Sequence, residues 1–539
     1  MQAAGPRRER HLDSPGPPMI SLALLLVAPI QTTWYVDQSA AGPGTGTQVD
    51  PYTRVDYAVS RPTTLTGDTV LVLPGTYPAE VIDFAGRDLV LRSTGGPSVT
   101  TLEAVAGPAP SESILRLANG ETLAATVEGF SLLAGSGHRP SGSTGYGGGI
   151  YCDGASVTLR DLEISSATGT GSGALFGAGI YVRNGSVDVL DCTLQAVGRW
   201  NYTLAGGGLY ALSAVVNISG STFTGCNADR GLGLFAQGST LTVTESDFDA
   251  NFASLGVGGG MALSNCQLHL SQSRVRNNAP GLEGAGLPAT DGSQLSLASS
   301  YFSGHRDSAD PYPGGAIYLR DASSLATVRN SQFTGNRGQW GGAIFGTVDI
   351  DGCYFGGNRA YGGGQYSCRG GAISGSGTVR RSVFHLNNST DTYSAGGGAL
   401  DGSFVVNQCT FIDNDGTGNP FGATPYSVIS GNCSLTNSIL RGGTAPRLHP
   451  DVTATYSNIE GGALGLGNFD LPESRWPDFA LLPDSPSVDT GDPASPLDSD
   501  GTRADRGALE FDPFHCGAGC NGSLGLTICT AATNSTGQP

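Results

Sequence analysis

The sequence contains no lysine, so all 28 of its basic residues are arginine. Lysine is therefore excluded as a Schiff-base nucleophile or general base. The seven histidines form no HxH or HxxxH pair, so the usual ligand spacing of a zinc site is missing. There is no GxSxG motif, and the many GxG strings lack the following helix of a dinucleotide site. The sequence thus gives no support to several common enzyme classes.

Positive charge and long apolar segments are also scarce. The 28 arginines stand against 46 acidic residues, for a net charge of −18, and form no basic cluster that a nucleic acid would need. The run of about a dozen apolar residues from Met19 is too short for a spanning helix and suits a signal peptide. We predict export through residues 1–33 to the extracellular space or outer cell surface, with no integral membrane span in the mature chain. A buried strand and an uncleaved anchor are the alternatives.

Glycine is abundant, with 84 residues, and it follows a repeat. A tetrad of the form Gly-x-Gly/Ala-apolar begins at Gly147, Gly177, Gly206, Gly231, Gly258, Gly284, Gly314, Gly341, Gly370 and Gly397. The first and last starts are 250 residues apart over nine intervals, which gives a period of about 28. A period in this range predicts a solenoid in which each repeat forms one coil.

A second pattern within each repeat predicts the local geometry. The pattern covers eight positions. Positions 1, 3 and 8 are apolar, position 6 is Ser or Cys, and the other positions are variable. Copies occupy residues 187–194, 216–223, 241–248, 295–302, 348–355 and 404–411. Alternation is the period of a strand with one buried face, and the two-residue insertion requires a sharp corner if both halves are to face inward. We therefore predict coils of two or three short strands, stacked about 4.8 Å apart.

Many repeats close with an apolar residue followed three positions later by asparagine, as in Phe333 and Asn336. Asparagine tolerates turn conformations, and its amide can bond to copies in neighbouring coils. His305 and Cys226 occupy this asparagine slot in two repeats. The pairing of GGAI with FxxN over residues 147–414 resembles the repeat of the polymorphic outer-membrane proteins, a family of surface-exposed adhesins and autotransporters. The resemblance implies an all-β fold, a single-stranded right-handed parallel β-helix of the pectate-lyase-like type, without implying pectate lyase activity.

The remaining segments are expected to flank or cap the repeats. We predict that residues 34–135 form an N-terminal cap and the first irregular coils, with a short helix near 52–59. Residues 136–460 are predicted to form the repeats. The stretch 478–510 resembles the choice-of-anchor Q segment, a non-catalytic module that precedes cell-surface sorting tails. The resemblance rests on Ser485-Pro486, Asp489, Gly491, Asp498, Asp500-Gly501, Arg503, Asp505, Gly507-Ala508 and Glu510. We therefore predict a C-terminal cap over 461–512 and a flexible, cysteine-containing tail over 513–539.

The eleven cysteines fall into three groups. Those at inward strand positions, which should pack as small apolar side chains, are Cys152, Cys192, Cys266, Cys353, Cys409 and Cys433. Cys226 and Cys368 are assigned to connecting loops, where a disulfide is an open question. The same question holds for the tail cysteines, Cys516, Cys520 and Cys529.

Aromatic residues recur in the loops that lead to the next glycine tetrad. These candidates for ligand binding are Trp200, Tyr202, Tyr312, Trp340, Tyr361, Tyr366 and Tyr393. Because the loops occupy the same place in successive coils, the rings should project along one side of the rod. Aromatic faces beside Arg and Asp would suit a polysaccharide or a surface protein as partner. In the alternative, the rings fold back and shield the strand edges.

Acidic residues provide few candidates for catalysis or metal binding. The residual catalytic candidates are Asp307 and Asp310 beside Arg306, because Asp349 and Asp351 belong to a strand edge. No cofactor is predicted, although calcium would suit a group of aspartates near the C-terminus. These candidate ligands are Asp489, Asp492, Asp498, Asp500 and Asp505. Their spacing is not that of an EF-hand, and turn formation is the competing role.

Two functions are compatible with this fold. The first is an exported, non-catalytic cell-surface or secreted protein that offers one long face for adhesion, matrix or carbohydrate contact. The alternative is a polysaccharide lyase or glycoside hydrolase. A groove in which carboxylates and arginines converge would favour the enzyme, because a binding protein needs only the aromatic faces.

Overall fold

The computed structural model describes most of the chain after residue 30. The described residues are 31–105, 112–133, 135–140, 142–165, 174–198, 203–252, 257–279, 284, 286–306, 313–362, 367–390, 396–417, 427–443, 447–473, 475, 478–498 and 501–509. Contacts divide the chain into Met1–Gln31 and Thr32–Pro539, and the second of these is one compact unit. Nearly all of the predicted leader lies outside the described residues.

The described part of Thr32–Pro539 is a right-handed parallel β-helix, which confirms the predicted fold class. A typical coil has three short strands, and each strand pairs in parallel with its counterpart in the next coil, as Val187 does with Val216. The strands therefore form three long faces.

Most strands of the first face directly follow or include the end of a glycine tetrad. This face contains Ile82–Asp83, Leu115–Leu117, Ile150–Asp153, Ile180–Arg183, Leu209–Leu212, Leu234–Gln237, Met261–Ser264, Leu287–Thr290, Ile317–Leu319 and Ile429–Ser430. Three longer strands continue from the first face into the second: Ile344–Asp351, Ile373–Arg380 and Leu400–Asn407.

The second and third faces complete each coil. The second contains Thr33–Val36, Thr69–Val72, Val90–Ser93, Thr126–Glu128, Ser156–Arg160, Ser186–Leu190, Val215–Ser219, Thr240–Thr244, Gln267–Ser271, Gln294–Ala298, Leu325–Arg329, Ser434–Thr436 and Thr453–Thr455. The third contains Gly75–Ala79, Thr100–Ala104, Ser131–Leu133, Glu163–Ser165, Thr193–Gln195, Thr222–Thr224, Asp247–Asp249, Arg274–Arg276, Tyr301–Ser303, Gln332–Thr334, Tyr354–Gly356, Val383–His385, Thr410–Ile412, Ile439–Arg441 and Asn458–Ile459.

Two small parallel sheets and one helix accompany these faces in the described residues. One small sheet contains Gly145–Tyr146, Leu175–Phe176 and Thr203–Ala205. The other contains Arg337–Gly338, Arg359–Tyr361, Asn388–Thr390 and Asp415–Thr417. The helix is Val55–Ser60, close to its predicted place, and it buries Val55, Ala58 and Val59. It is far too short to span a membrane, and the described residues contain no helix long and apolar enough to do so.

The corner between the second and third faces is where the sequence predicts it. One residue there has a left-handed backbone, for example Asp191 (φ 55°), Glu245 (φ 50°) and Asn330 (φ 49°), and the next residue is the Ser or Cys of the repeat. A second left-handed residue precedes the asparagine slot, as at Gly335 (φ 62°) and Gly357 (φ 60°). Glycine, asparagine and aspartate adopt this conformation more readily than other residues.

Serine side chains link the coils at this corner. The backbone N–H of Ser221 donates to Oγ of Ser246 (3.1 Å), and that of Ser246 donates to Oγ of Ser273 (3.1 Å). The Ser246 hydroxyl donates in turn to the carbonyl of Thr244 (2.7 Å). The side chain thus satisfies backbone groups where the turn interrupts the strand ladder.

Every cysteine in the described residues is buried. This confirms the interior position of the six cysteines on strand positions. The sequence leaves the disulfide state of Cys226 and Cys368 open; both side chains are fully buried, and Cys226 forms no disulfide. The N–H of Cys226 donates to Oδ1 of Asn251 (2.9 Å), and Cys368 lies 3.4 Å from Oγ of Ser389. Cys516, Cys520 and Cys529 lie outside the described residues.

The asparagine slots form a buried ladder, as predicted. Nδ2 of Asn358 donates to Oδ1 of Asn387 (2.9 Å), and Nδ2 of Asn387 donates to Oδ1 of Asn414 (2.9 Å). The phenylalanines of the same repeats stack beside the ladder, with ring centroids 4.8 Å apart for Phe355 and Phe384 and 4.7 Å for Phe384 and Phe411. Each coil therefore presents a nearly identical surface to its neighbours.

His305 interrupts this ladder between Asn278 and Asn336. Its backbone N–H donates to Oδ1 of Asn336 (3.3 Å), and its ring Nε2 lies 2.9 Å from the carbonyl oxygen of Val275. Nδ1 is buried and has no hydrogen-bond partner among the described atoms. Burial lowers the pKa of His305 to about 4, so the ring is neutral at pH 7.

The segment after the last coil packs across the end strands. Phe469 pairs with Asn458, and the guanidinium carbon of Arg506 lies 3.9 Å from the centroid of the Phe469 ring. Nε of Arg506 donates to the carbonyl of Thr490 (2.8 Å), and burial lowers the pKa of Arg506 to about 10. The resemblance of this segment to the choice-of-anchor Q family stays a prediction.

Candidate functional site

Only part of the predicted aromatic set lies in the described residues. Trp200, Tyr202, Tyr312, Tyr366 and Tyr393 lie outside them. The indole Nε1 of half-buried Trp340 donates to the carbonyl of Ser367 (3.2 Å), and its ring lies 5.6 Å from that of Phe345.

Tyr361 has different neighbours from Trp340. The guanidinium groups of Arg337 and Arg359 lie 4.2 and 5.2 Å from the centroid of its ring. Contacts of this kind hold a half-buried ring in place at the surface. Both described members of the set therefore take part in contacts within the protein.

The catalytic candidates from the sequence are also only partly described. Arg306 is exposed, and Asp307 and Asp310 lie outside the described residues. Asp349 accepts hydrogen bonds from Arg329 and, at 3.0 Å, from Arg380, and Asp351 pairs with Arg381. These two aspartates form surface ion pairs between coils, which agrees with their assignment to a strand edge.

An aromatic stack that the sequence analysis missed runs along the outside of the first face. The rings of Tyr151 and Tyr181 are stacked nearly parallel, with centroids 5.5 Å apart and an interplanar angle of 5°. Tyr210 follows at 5.4 Å and Phe235 at 5.3 Å. Each ring is the second residue of its strand, and these residues pair in register. We call this outward position the outer row.

The first part of the outer row is covered. Tyr146 packs edge-on against Tyr181 at 5.0 Å, and Phe176 packs edge-on against Tyr210 at 5.2 Å. Both covering rings belong to the small sheet that ends at Thr203–Ala205. Tyr181 and Tyr210 are therefore buried, whereas Phe235, beyond that sheet, is half-buried.

The outer row then loses two rings in succession. Phe235 pairs with Ala262, and the next coils place Pro288 and then Tyr318 at the same position. The aromatic row resumes with Tyr318 and Phe345, whose centroids are 5.8 Å apart. Two small residues therefore separate two aromatic rings along the outer row.

A groove of about 700 Å³ lies over this gap. Its lining consists of Arg230, Phe235, Gln237, Val257, Ala262, Leu263, Ser264, Pro288, Thr290, Asp291, Tyr318, Arg320 and Asp321. The apolar members form the floor and the two ends. The polar members Gln237, Ser264, Thr290, Asp291, Arg320 and Asp321 come from the carboxyl ends of four successive strands and the residues just after them. They form a polar rim along one side.

Two carboxylates lie on this rim in adjacent coils, Asp291 and Asp321. Hydrogen bonds from the hydroxyls of Ser264 (2.6 Å) and Thr290 (2.8 Å) lower the pKa of Asp291 below its ordinary value. Burial raises the pKa of Asp321, but hydrogen bonds from hydroxyl groups of the following serines outweigh it and lower the pKa. Both groups are therefore ionised at neutral pH.

A second acidic group lies near the C-terminus. Asp489, Asp498 and Asp505 bring carboxylate oxygens within 4.8 Å of one another. Asp492 instead accepts a hydrogen bond from the N–H of Ala494 (2.9 Å), and Asp500 lies outside the described residues. Calcium takes about six to eight oxygen ligands, so these three carboxylates would supply only part of a site. Asp505 also accepts the N–H of Asp489 (2.7 Å), which is the turn role considered above.

Comparisons with known proteins concern the fold. The family model for a right handed beta helix region matches residues 148–333. The chain is similar to a crystal structure of pectate lyase Pel9A, at 15% identity and a TM-score of 0.26, over 89% of this chain and 97% of that one. It is similar to a rhamnogalacturonan lyase at 13% identity and a TM-score of 0.27, over 89% and 96% of the two chains.

A third similar structure is a GH136 lacto-N-biosidase from Eubacterium ramulus, at 12% identity and a TM-score of 0.30. The match covers 64% of this chain and 64% of that one. No curated protein sequence matches this chain. Similarity at these identities concerns the fold alone, a right-handed parallel β-helix.

Proposed function

We propose that the protein is exported to the cell surface or the extracellular space, where its β-helix binds a glycan without cleaving it. The groove between Phe235 and Tyr318 carries this proposal. It combines ring faces, an apolar floor and a rim of hydroxyl, amide and charged groups. A sugar ring has an apolar face and a hydroxyl edge, so it can use both kinds of surface. The apolar run from Met19 supports the exported location.

The rim carboxylates favour binding over hydrolysis. A glycoside hydrolase needs one carboxylic acid that stays protonated to donate to the leaving oxygen. The pKa values of Asp291 and Asp321 are both lowered, so neither is suited to that role at neutral pH. A polysaccharide lyase or hydrolase is the competing hypothesis, because two carboxylates and two arginines line one groove.

The test is glycan binding by the full chain and two groove variants, Phe235→Ala and Tyr318→Ala. We expect binding to an array of neutral and acidic polysaccharides, weakened about tenfold in each variant through loss of a ring contact. Tyr301→Ala removes a half-buried ring from the third face and serves as the control. Thermal unfolding of each variant identifies any loss of folded protein.

The same samples distinguish the two functions. Bound polysaccharides are assayed for new reducing ends and for the ultraviolet absorbance of unsaturated lyase products. We expect neither product. Product formation abolished by Asp291→Asn would establish the enzyme instead. Absence of binding to every glycan, or equal loss in the Tyr301→Ala control, would refute binding in the groove.

A further inference from the structure

The gap in the outer row has the dimensions of a binding site for stacked rings. Phe235 and Tyr318 are separated by three coil intervals, or about 14 Å at the usual strand spacing. Within the stack, successive rings are 5.3 to 5.5 Å apart. Two further rings at this spacing would complete the row. The positions that would carry them are occupied by Ala262 and Pro288.

The floor under the gap is closed and well packed. A Cβ at Gly258 would lie 2.8 Å from both Cβ of Ala262 and Cγ of Pro288, and one at Gly284 would lie 3.1 Å from Cβ of Pro288. Glycine in the tetrads thus allows the neighbouring turns to approach these two residues closely. The space above is therefore a recess on the outside of the rod, separate from the core.

The charges around the recess cancel. Arg230 and Arg320 contribute two positive charges, and Asp291 and Asp321 contribute two negative charges. The polar rim holds both carboxylates but only one of the two arginines, Arg320, so the rim itself has a net charge of −1, in a chain whose net charge is −18. A uronate polymer would bring further negative charge to that rim, whereas a neutral sugar brings hydroxyl groups that can donate to the carboxylates.

We infer that the groove binds a neutral oligosaccharide, whose pyranose rings occupy the places of the two missing aromatic rings between Phe235 and Tyr318. This inference rests on the proposed glycan-binding function and adds the ligand class and its position. The sugar faces pack on the two end rings and the floor. The hydroxyl edges reach Gln237, Thr290 and Asp291 on the rim.

The first test completes the outer row with a protein side chain. Ala262→Phe places a ring next to Phe235, where the ligand is inferred to bind. We expect binding at least tenfold weaker and a melting temperature that is unchanged or higher, because the new ring extends an existing stack. Ala262→Leu fills the same space with a smaller side chain and should also weaken binding. Ser374→Phe, which adds a ring next to Phe345 outside the groove, should leave binding unchanged.

The second test compares ligands of different charge. The full chain is titrated with neutral hexasaccharides of glucose, xylose and mannose and with a galacturonate hexasaccharide, in low salt. We expect at least one neutral ligand to bind ten times more tightly than the uronate. Asp291→Asn and Asp321→Asn should reduce that preference.

The possible outcomes separate this inference from the proposed function. Tighter uronate binding that still needs Phe235 would overturn the ligand class and leave glycan binding in place. Unchanged binding in folded Ala262→Phe and Ala262→Leu would overturn the position. Failure to bind any neutral or acidic glycan would refute the proposed function as well.

Discussion

His305 provides a quantitative test of the interior ladder. A base whose pKa is lower in the folded state binds fewer protons when folded, so acid favours unfolding. The stabilising contribution is complete above the ordinary pKa of 6.5 and is lost as the pH falls from 6.5 to about 4. At about 1.4 kcal/mol per pKa unit, the total loss is about 3 kcal/mol. The adjacent charge of Asp249 acts in the opposite direction, as a smaller effect.

The perturbation that tests this is His305→Asn. Asparagine cannot titrate in this range, and its amide can join Asn278 and Asn336 in one continuous ladder. We therefore expect the stability difference between the variant and the natural chain to grow by about 3 kcal/mol between pH 7 and pH 4. Carboxylates that titrate in the same range contribute to both proteins and cancel in the difference.

The assay is urea unfolding of both proteins at several pH values from 7 to 4. His269→Asn changes an exposed histidine on the second face of the preceding coil and serves as the matched control. It should show no comparable pH dependence. Parallel loss of stability in the natural chain and His305→Asn would refute the reasoning, because the ring would then not be the group that titrates.

Three further predictions concern the interior of the rod. Asn387→Ala leaves the N–H of the preceding ladder residue without its acceptor and should cost about 1–3 kcal/mol of unfolding free energy, measured in urea. Gly375→Ala would place Cβ 2.0 Å from the carbonyl oxygen of Gly346 at a φ of 143°, so we expect a lower melting temperature or insoluble protein. A normal melting temperature would contradict that packing. The buried cysteines, such as Cys353 with its pKa raised to about 12, should react with a thiol reagent only after unfolding.

The regular part of the fold could be predicted because each position recurs. A single glycine tetrad or FxxN pair says little, but ten tetrads with a constant corner allow few structures other than a parallel solenoid. The corner residue before Cys192 and the ladder at Asn358 follow directly from that pattern. The burial of Cys226 could also have been predicted, since it occupies an asparagine slot.

The groove was missed for physical reasons. The candidates predicted from the sequence are aromatic residues in loops, whereas the outer row lies on strands, at the residue directly after each tetrad. Its aromatic members are visible in the sequence, and so is the change to Ala262 and Pro288. Which rings are buried depends on the covering strands around Tyr146 and Phe176, and these have no repeated signature. The repeat pattern in the sequence therefore predicts the outer row, but it does not predict which of its rings are exposed to solvent.

The register of the outer row has a consequence for how such a groove can change in evolution. Each coil contributes one position to the row, so the distance between Phe235 and Tyr318 is a whole number of coils. Duplication or deletion of one repeat would lengthen or shorten the recess by about 4.8 Å and leave both end walls intact. The length of ligand that fits can therefore change only in steps of one repeat, whereas the composition of the rim can change by single substitutions.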